Sequence, residues 1–289
     1  MRVVIVGGGN AGISAATHLR RKNENIEIVV LEKSNEIAVA SCGLPDLLSG
    51  KIRNKDDLIG ATPAQLKNIF NIDVFTGTEV SGIDVKKKKL LLSNRKQLNY
   101  DRLILAIGAI TLRPDIKGVL SENVFTIFNM ASVLRIINYC KKMSVKKVVI
   151  LGGGANGLAL AEALLAKKIN VVLIEKNNHP LADFDDDFGL LIKKKVSRRG
   201  LKIFTSSSVE KFENDKAFLT NGKKIKYDMA IISTGQKNEV KLPIMADIKI
   251  GKTGGIIVNE YMQTSVEDIF ACGSSFGGYQ KIDTATFFK

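Results

Sequence analysis

The chain writes one hydrophobic pattern twice. Residues 2–32 read RVVIVGGGNAGISAATHLRRKNENIEIVVLE, and residues 146–175 read KKVVILGGGANGLALAEALLAKKINVVLIE. In each copy an unbroken apolar run enters a glycine-rich turn. An Ala- and Leu-rich stretch, a second apolar run and a closing glutamate follow. Apolar runs without alternation predict strands covered on both faces, and the order strand–turn–helix–strand predicts a parallel βαβ unit. Between the copies, residues 74–85, 89–94 and 101–109 predict a small meander leading into a core strand. The same grammar returns after the second copy, where residues 201–235 predict two hairpin-like strands and a buried strand ending in Gly235. Residues 255–275 predict strand, turn and strand, and Pro114–Gly118 reads as a linker. The fold class this predicts is α/β, two Rossmann-like domains with parallel sheets, the second inserted in the first.

The glycine spacing gives both turns a chemistry. Gly7, Gly9 and Gly12 satisfy G-x-G-x-x-G, as do Gly152, Gly154 and Gly157. The first glycine permits the tight turn, the second admits a pyrophosphate against the backbone, and the third lets the helix pack on the strand. The helix N-terminus then offers unpaired N–H groups and a positive dipole end to the phosphates. Glu32 and Glu175 close the two units, where a carboxylate can accept hydrogen bonds from a ribose. An acid there favours the 2′-hydroxyl of NAD over the 2′-phosphate of NADP, although Lys176 directly follows Glu175. Such a turn alone is weak evidence. Two copies, each after a strand, before a helix and with a glutamate at the right offset, predict two dinucleotide sites. On this reading residues 1–112 and 254–289 form one dinucleotide-binding domain, and residues 113–253 a second.

Composition narrows the class further. With 45% apolar and 25% charged residues, the chain has the balance of an ordinary globular protein. No apolar run is long enough to span a membrane, and the N-terminus enters a strand without a signal-peptide pattern. The formal net charge of +14 raises nucleic-acid binding. The lysines are spread along the chain, however, and the densest run, Lys86–Lys89, reads as a solvated hairpin. Neither a nucleic-acid nor a membrane partner is expected, while a basic surface suits anionic substrates. Three scattered cysteines make neither a disulfide framework nor a metal site, which fits a cytoplasmic location.

Cys42 is the cysteine with a motif. In Ser41-Cys42-Gly43-Leu44-Pro45 the proline suits a first helical turn, which puts Cys42 near a helix start, where the dipole favours thiolate. From position alone it reads equally as a small buried hydrophobe. No second cysteine stands three or five residues on, so redox chemistry here uses a single thiol. Cys140 and Cys272 read as structural. His18, within the first helix, and His179, in a turn before Pro180, suggest no catalytic base.

With these motifs the chain resembles the pyridine nucleotide-disulfide oxidoreductases, specifically their single-cysteine branch of coenzyme A-disulfide reductases, NADH oxidases and NADH peroxidases. The text that carries the resemblance runs nearly throughout: GGGNAG, SCGLP, DLIGATPAQL, NIDVFTGTEV, YDRLILAIGA, KKVVILGGGANG and GIIVNEYMQTSVEDIFACGS. The resemblance implies that residues 1–112 and 254–289 form an FAD-binding domain, and residues 113–253 an NAD(P)-binding domain. It implies FAD held by Gly7, Gly9, Asn10, Ala11, Gly12, Glu32 and Lys33. It adds contacts from Ser41, Val80, Ala106, Gly108, Gly273 and Ser274. It implies NADH, or NADPH, on Gly152, Gly154, Gly157, Glu175 and Gly235, with Cys42 as redox thiol. Electrons would pass from NAD(P)H through flavin to Cys42 and a small disulfide, or to oxygen. The alternatives are a protein electron acceptor and a flavin-binding member without catalysis. Some positions depart from the family. Ala155 and Ala159 replace a bulky residue and a Glu, Ser274 replaces an Asp, and Asn10 stands where the oxidases and peroxidases place a His. The family's C-terminal dimerisation domain is expected to be missing, which leaves the oligomeric state open.

Overall fold

The computed structural model describes residues 1–276. Its contacts divide into two units, Met1–Ala40, Ile59–Ile110 and the described residues from Lys237 onward in the first, Ser41–Leu58 and Thr111–Gln236 in the second. The domain boundaries expected from sequence lay at 112/113 and 253/254. The contacts part near 110 and 236, and residues 41–58 group with the second unit. The expected stretch 277–289 of the first domain lies outside the described residues.

In the first unit five strands form one parallel sheet in the order Ile269–Ala271, Arg102–Leu105, Arg2–Val6, Glu27–Leu31, Asp73–Phe75. The pleat sorts their side chains between two cores. Val3, Ile5, Ile28 and Val30 pack with Ile13 and Ala16 of the Asn10–Lys22 helix. Val4, Val6, Val29 and Leu31 pack on the other face with Leu90, Tyr100 and Leu103. That second face is covered by an antiparallel meander, Val80–Asp84, Lys89–Leu92 and Gln97–Asn99. The four-lysine run forms its first turn, as the sequence predicts. Arg20 is buried and donates to the backbone carbonyls of Glu24, Phe70 and Asn71. It thus ties the end of its own helix to the end of the Pro63–Phe70 helix, where unpaired carbonyls accumulate. Of the strands predicted over 255–275, Ile269–Ala271 forms, while Ile256 makes isolated bridges.

The second unit repeats the frame. Its parallel sheet runs Lys202–Phe204, Asn170–Ile174, Lys147–Leu151, Met229–Ile232, Val124–Thr126. A meander of Val209–Glu213, Lys216–Leu219 and Lys224–Lys226 again sits between the third and fourth strands of the repeat. The edge strand beside the fourth comes last in the first unit and first in the second, so the repeat is permuted at that edge. Pro114–Gly118 is no free linker. Ile116 joins the core around Phe212, and a Cβ on Gly118 would stand 2.1 Å from the Phe212 carbonyl oxygen.

Candidate dinucleotide sites

Both turns obey the same steric rule. Gly7 has φ +110°, and a Cβ there would lie 2.2 Å from the Ala106 carbonyl oxygen. Gly152 has φ +102°, with its Cβ 2.2 Å from the Ser233 carbonyl oxygen. At Gly12 and Gly157 a Cβ would stand 1.9 and 2.0 Å from the carbonyl oxygens of Gly7 and Gly152. Each turn is therefore wedged between its helix and the strand beside it, and no side chain fits. The middle positions differ. Nothing lies within 4 Å of a Cβ at Gly9 or Gly154, so the backbone there borders open space.

The helices that begin at these glycines, Asn10–Lys22 at Gly9 and Ala155–Ala166 at Gly154, have no side-chain cap, a feature shared with Leu44–Ser49, Asp186–Arg198 and Lys241–Met245. Pro63–Phe70 and Met130–Lys142 carry full capping boxes, Thr62 with Gln65 and Asn129 with Ser132. The first-turn N–H groups of the two glycine helices are left to an external acceptor, which is what a pyrophosphate supplies.

The glutamates are held by the backbone. Glu32 accepts from the Gly8 amide (2.6 Å) and the Ser34 amide (2.7 Å). Glu175 accepts from the Gly153 amide (2.6 Å) and the Asn177 amide (2.8 Å). The agreement continues outward. The amides of Glu32 and Glu175 donate to the carbonyls of Phe75 and Phe204, the last residues of the adjacent strands. The amides of Ala38 and Leu181, six residues past each glutamate, donate to the carbonyls of Gly8 and Gly153. The residue before each of these packs on the glycine just before that open position: Ile37 on Gly8, Pro180 on Gly153. The role of Gly8 and Gly153 as donors to the glutamates was missed in sequence, because G-x-G-x-x-G leaves that position unspecified.

The other expected residues are distributed over the two units. In the first, Ala106 and Gly108 follow the Arg102–Leu105 strand, Gly108 with φ +73°. Gly273 closes on Ala11, whose Cβ would be 2.7 Å from a Cβ at 273. The Ser274 side chain is exposed, while its carbonyl accepts from the Asn238 amide group at 2.7 Å. The neighbouring Ser275 is fully buried and donates to the carbonyls of Cys272 and Leu105. Asn10 and Lys33 are exposed, and half-buried Val80 opens the meander. In the second unit Gly235, with φ +112°, follows Ser233 as Gly108 follows Ala106.

Cys42 groups with the second unit, in the middle of a 3-10 turn, Ser41–Gly43, that runs into the Leu44–Ser49 helix with Pro45 in its first turn. The predicted helix start is there, and the thiol is exposed rather than buried. Cys140 and Cys272 are half-buried, and burial pushes both thiols up from their ordinary pKa. His179 lies in the turn before Pro180, where the sequence reading put it. It is buried, and both ring nitrogens are engaged, Nδ1 2.9 Å from the Pro180 carbonyl oxygen and Nε2 2.7 Å from Asp186 Oδ1. Among the described residues no group of three His, Cys, Asp or Glu could hold a metal, and no helix is long and apolar enough to cross a membrane.

A family model described as pyridine nucleotide-disulphide oxidoreductase matches residues 1–287. The chain belongs to the pyridine nucleotide-disulphide oxidoreductase family. Family members use FAD and NAD(P)H, and the two cradles fit those groups in spacing, open backbone and placed carboxylate. The chain is 36% identical over 281 residues to the NADH oxidase of Methanocaldococcus jannaschii, covering 94% of this chain and 62% of that one. It is 31% identical to the NADH-rubredoxin oxidoreductase of Clostridium acetobutylicum, covering 97% and 69%. Among solved structures, the NAD-dependent persulfide reductase from A. fulgidus superposes with a TM-score of 0.92 at 34% identity, covering 96% of this chain and 53% of that one. The chain thus spans about three fifths of the NADH oxidase's length and about half of the persulfide reductase's.

Proposed function

We propose that this chain is the flavin- and nicotinamide-binding core of an NAD(P)H oxidoreductase whose redox thiol is Cys42 and whose acceptor is a small disulfide or persulfide, or oxygen. The observation that carries this reading is the bond-for-bond repetition of one dinucleotide cradle. The first unit would hold FAD. Its uncapped helix would take the pyrophosphate, Glu32 would accept from the ribose, and Ala106, Gly108 and the Gly273–Ser275 turn would line the rest. The second would hold NADH or NADPH in the same manner, on Gly152–Gly157, Glu175 and Gly235. FAD, when bound, takes two electrons from a reduced nicotinamide and passes them to a thiol–disulfide couple. The exposed Cys42 Sγ, as thiolate, would attack one sulfur of a small disulfide and release the other half as a thiolate, leaving a mixed disulfide. Two electrons originating in NAD(P)H would return that mixed disulfide to two thiols. Three free cysteines without a disulfide support a reducing, cytoplasmic setting.

The test is the visible spectrum of the purified chain before and after anaerobic NADH, for wild type and Cys42→Ser. The reading requires bound flavin, its bleaching by NADH in both proteins, and loss of disulfide reduction in Cys42→Ser alone. A colourless protein that cannot take up FAD would end it. The named rubredoxin reductase supports a second reading, electron delivery to a protein acceptor docked on the basic surface, with Cys42 a bystander. Full turnover of Cys42→Ser with such an acceptor would favour it.

A further inference from the structure

The two cradles agree in their backbone and differ in what locks the loop after the glutamate. In the first unit the lock is a hydroxyl: Ser34 Oγ donates to Glu32 Oε1 at 2.7 Å and lies 2.8 Å from the Glu36 carbonyl oxygen. In the second unit the lock is an imidazole. His179 stands four residues past Glu175, beside the Pro180 that packs on Gly153 and the Leu181 whose amide holds the Gly153 carbonyl. Its ring also presses on the Asp186–Arg198 helix, where a Cβ at Gly189 would come within 1.9 Å of Nδ1.

We propose that His179 is a positioning residue for NAD(P)H: it bridges the Pro180 carbonyl and the Asp186 carboxylate, and so pins residues 176–181, and through them the Gly153 turn, against the Asp186–Arg198 helix. The proposal rests on the reading of the second cradle as the nicotinamide site. Its geometry makes a further demand. Both ring nitrogens face acceptors, a carbonyl oxygen and a carboxylate oxygen, so both bonds exist together only when both nitrogens carry hydrogen. The cationic ring is the one that closes the clamp. Its pKa is accordingly raised, chiefly by the Pro180 carbonyl and next by the Asp186 hydrogen bond, with the charges of Asp186 and Glu175 adding and burial opposing. A raised pKa fixes the direction. The clamp is complete below the ordinary imidazole value of about 6.5 and opens as pH rises through the higher folded value. Affinity for NAD(P)H at the second cradle then falls with rising pH, while the hydroxyl lock of the first cradle does not respond.

The experiment uses the full chain in its FAD-bound form. NADH is titrated from about pH 6 to about pH 9 in wild type, Asp186→Asn and His179→Gln, and the imidazole nitrogens are followed by long-range ¹⁵N–¹H NMR. The chain has two histidines, so the His179 signals are assigned by their loss in His179→Gln. The expected result is NADH affinity falling about threefold to tenfold across this range in wild type, with the His179 ring losing its second proton above the ordinary imidazole value of about 6.5 and in step with that fall. Asp186→Asn keeps an acceptor and removes the charge. It should lower the His179 titration and move the NADH profile down in pH with it, whereas His179→Gln should flatten the profile. NADH binding that ignores pH in wild type, or a His179 titration at or below the ordinary imidazole value of about 6.5, overturns this proposal and leaves the nicotinamide reading standing. No NADH binding at any pH overturns both.

Discussion

Glu32 and Glu175 receive the same two backbone hydrogen bonds within 0.1 Å of each other, yet Glu32 is half-buried and Glu175 buried at 6% exposure. The shared bonds show what a dinucleotide turn needs from any sequence: glycines where a Cβ would strike a carbonyl, an uncapped helix, and a carboxylate fixed by an amide of the turn, that of Gly8 or Gly153. The differences show where each unit is free to specialise. The first seals its loop with the Ser34 hydroxyl and ties down its helix ends with Arg20. The second seals its loop with a titratable ring, while both units carry ion pairs, Arg2–Glu27 and Lys67–Asp73 in the first and Lys117–Glu213 and Lys211–Glu213 in the second. If the cradles are independent copies of one device, each can be broken without the other.

The glycine wedges give the largest expected effect. In Gly12→Ala the new methyl must displace the Gly7 carbonyl, and overpacking of this kind costs about 1–3 kcal/mol. Flavin content should fall about tenfold or more in absorbance at constant protein. Gly157→Ala imposes the same clash in the second unit, where flavin should be kept and NADH affinity lost by a similar factor. Loss of flavin in Gly157→Ala would show that the cradles are not independent.

Glu32→Gln and Glu175→Gln come next. Each amide keeps one acceptor but loses the charge-assisted bond to Gly8 or Gly153, worth about 1 kcal/mol beyond a neutral one. FAD retention should weaken about fivefold in the first variant, and NADH binding to a like extent in the second. Glu175→Gln should also narrow discrimination against NADPH, since the repelling charge is gone. An unchanged NADH-to-NADPH ratio would remove Glu175 from the choice of nucleotide.

Legibility in the sequence followed the same division. The central strands of both sheets and the two helices that leave the glycine turns were readable, because buried parallel strands are uninterrupted Val/Ile/Leu runs and G-x-G-x-x-G is a backbone requirement written in residue types. The short edge strands Asp73–Phe75 and Lys202–Phe204 were not separated from the meander stretches, and Gln97–Asn99 and Val124–Thr126 were not read as strands. The glutamates were found by offset. Their amide partners were not, since any residue can donate an N–H and neither Gly8 nor Gly153 is specified by the motif. Arg20 and His179 were illegible for a related reason. Arg20 finds carbonyls fifty residues on, at Phe70 and Asn71. His179 is defined by a glycine on a neighbouring helix, which leaves room for the ring. Residues 41–58 read as part of the first domain because they follow its βαβ unit in the chain, whereas the Leu44–Ser49 helix packs on the Met130–Lys142 and Ala155–Ala166 helices of the second.

The smallest effect tests whether the charge pairing of the second unit matters at all. Glu213 accepts from Lys117 and Lys211 at 2.9 and 2.8 Å, and the Lys211 bond first, then the Lys117 bond, lower its pKa from the usual carboxylate value to about 2. A lowered folded pKa means that the stabilisation is present above the unfolded value of about 4.3 and is lost as pH falls towards about 2. The pair is solvent-accessible, so screening keeps the contribution small. Glu213→Gln should therefore melt about one degree below wild type at neutral pH, the two should converge near pH 2, and added salt should narrow the gap. Lys117 leads in from the Pro114–Gly118 segment, so the same variant reports on how firmly that segment is held on the meander. If the gap at neutral pH persists unchanged in high salt, the side chain acts there by packing and not by charge.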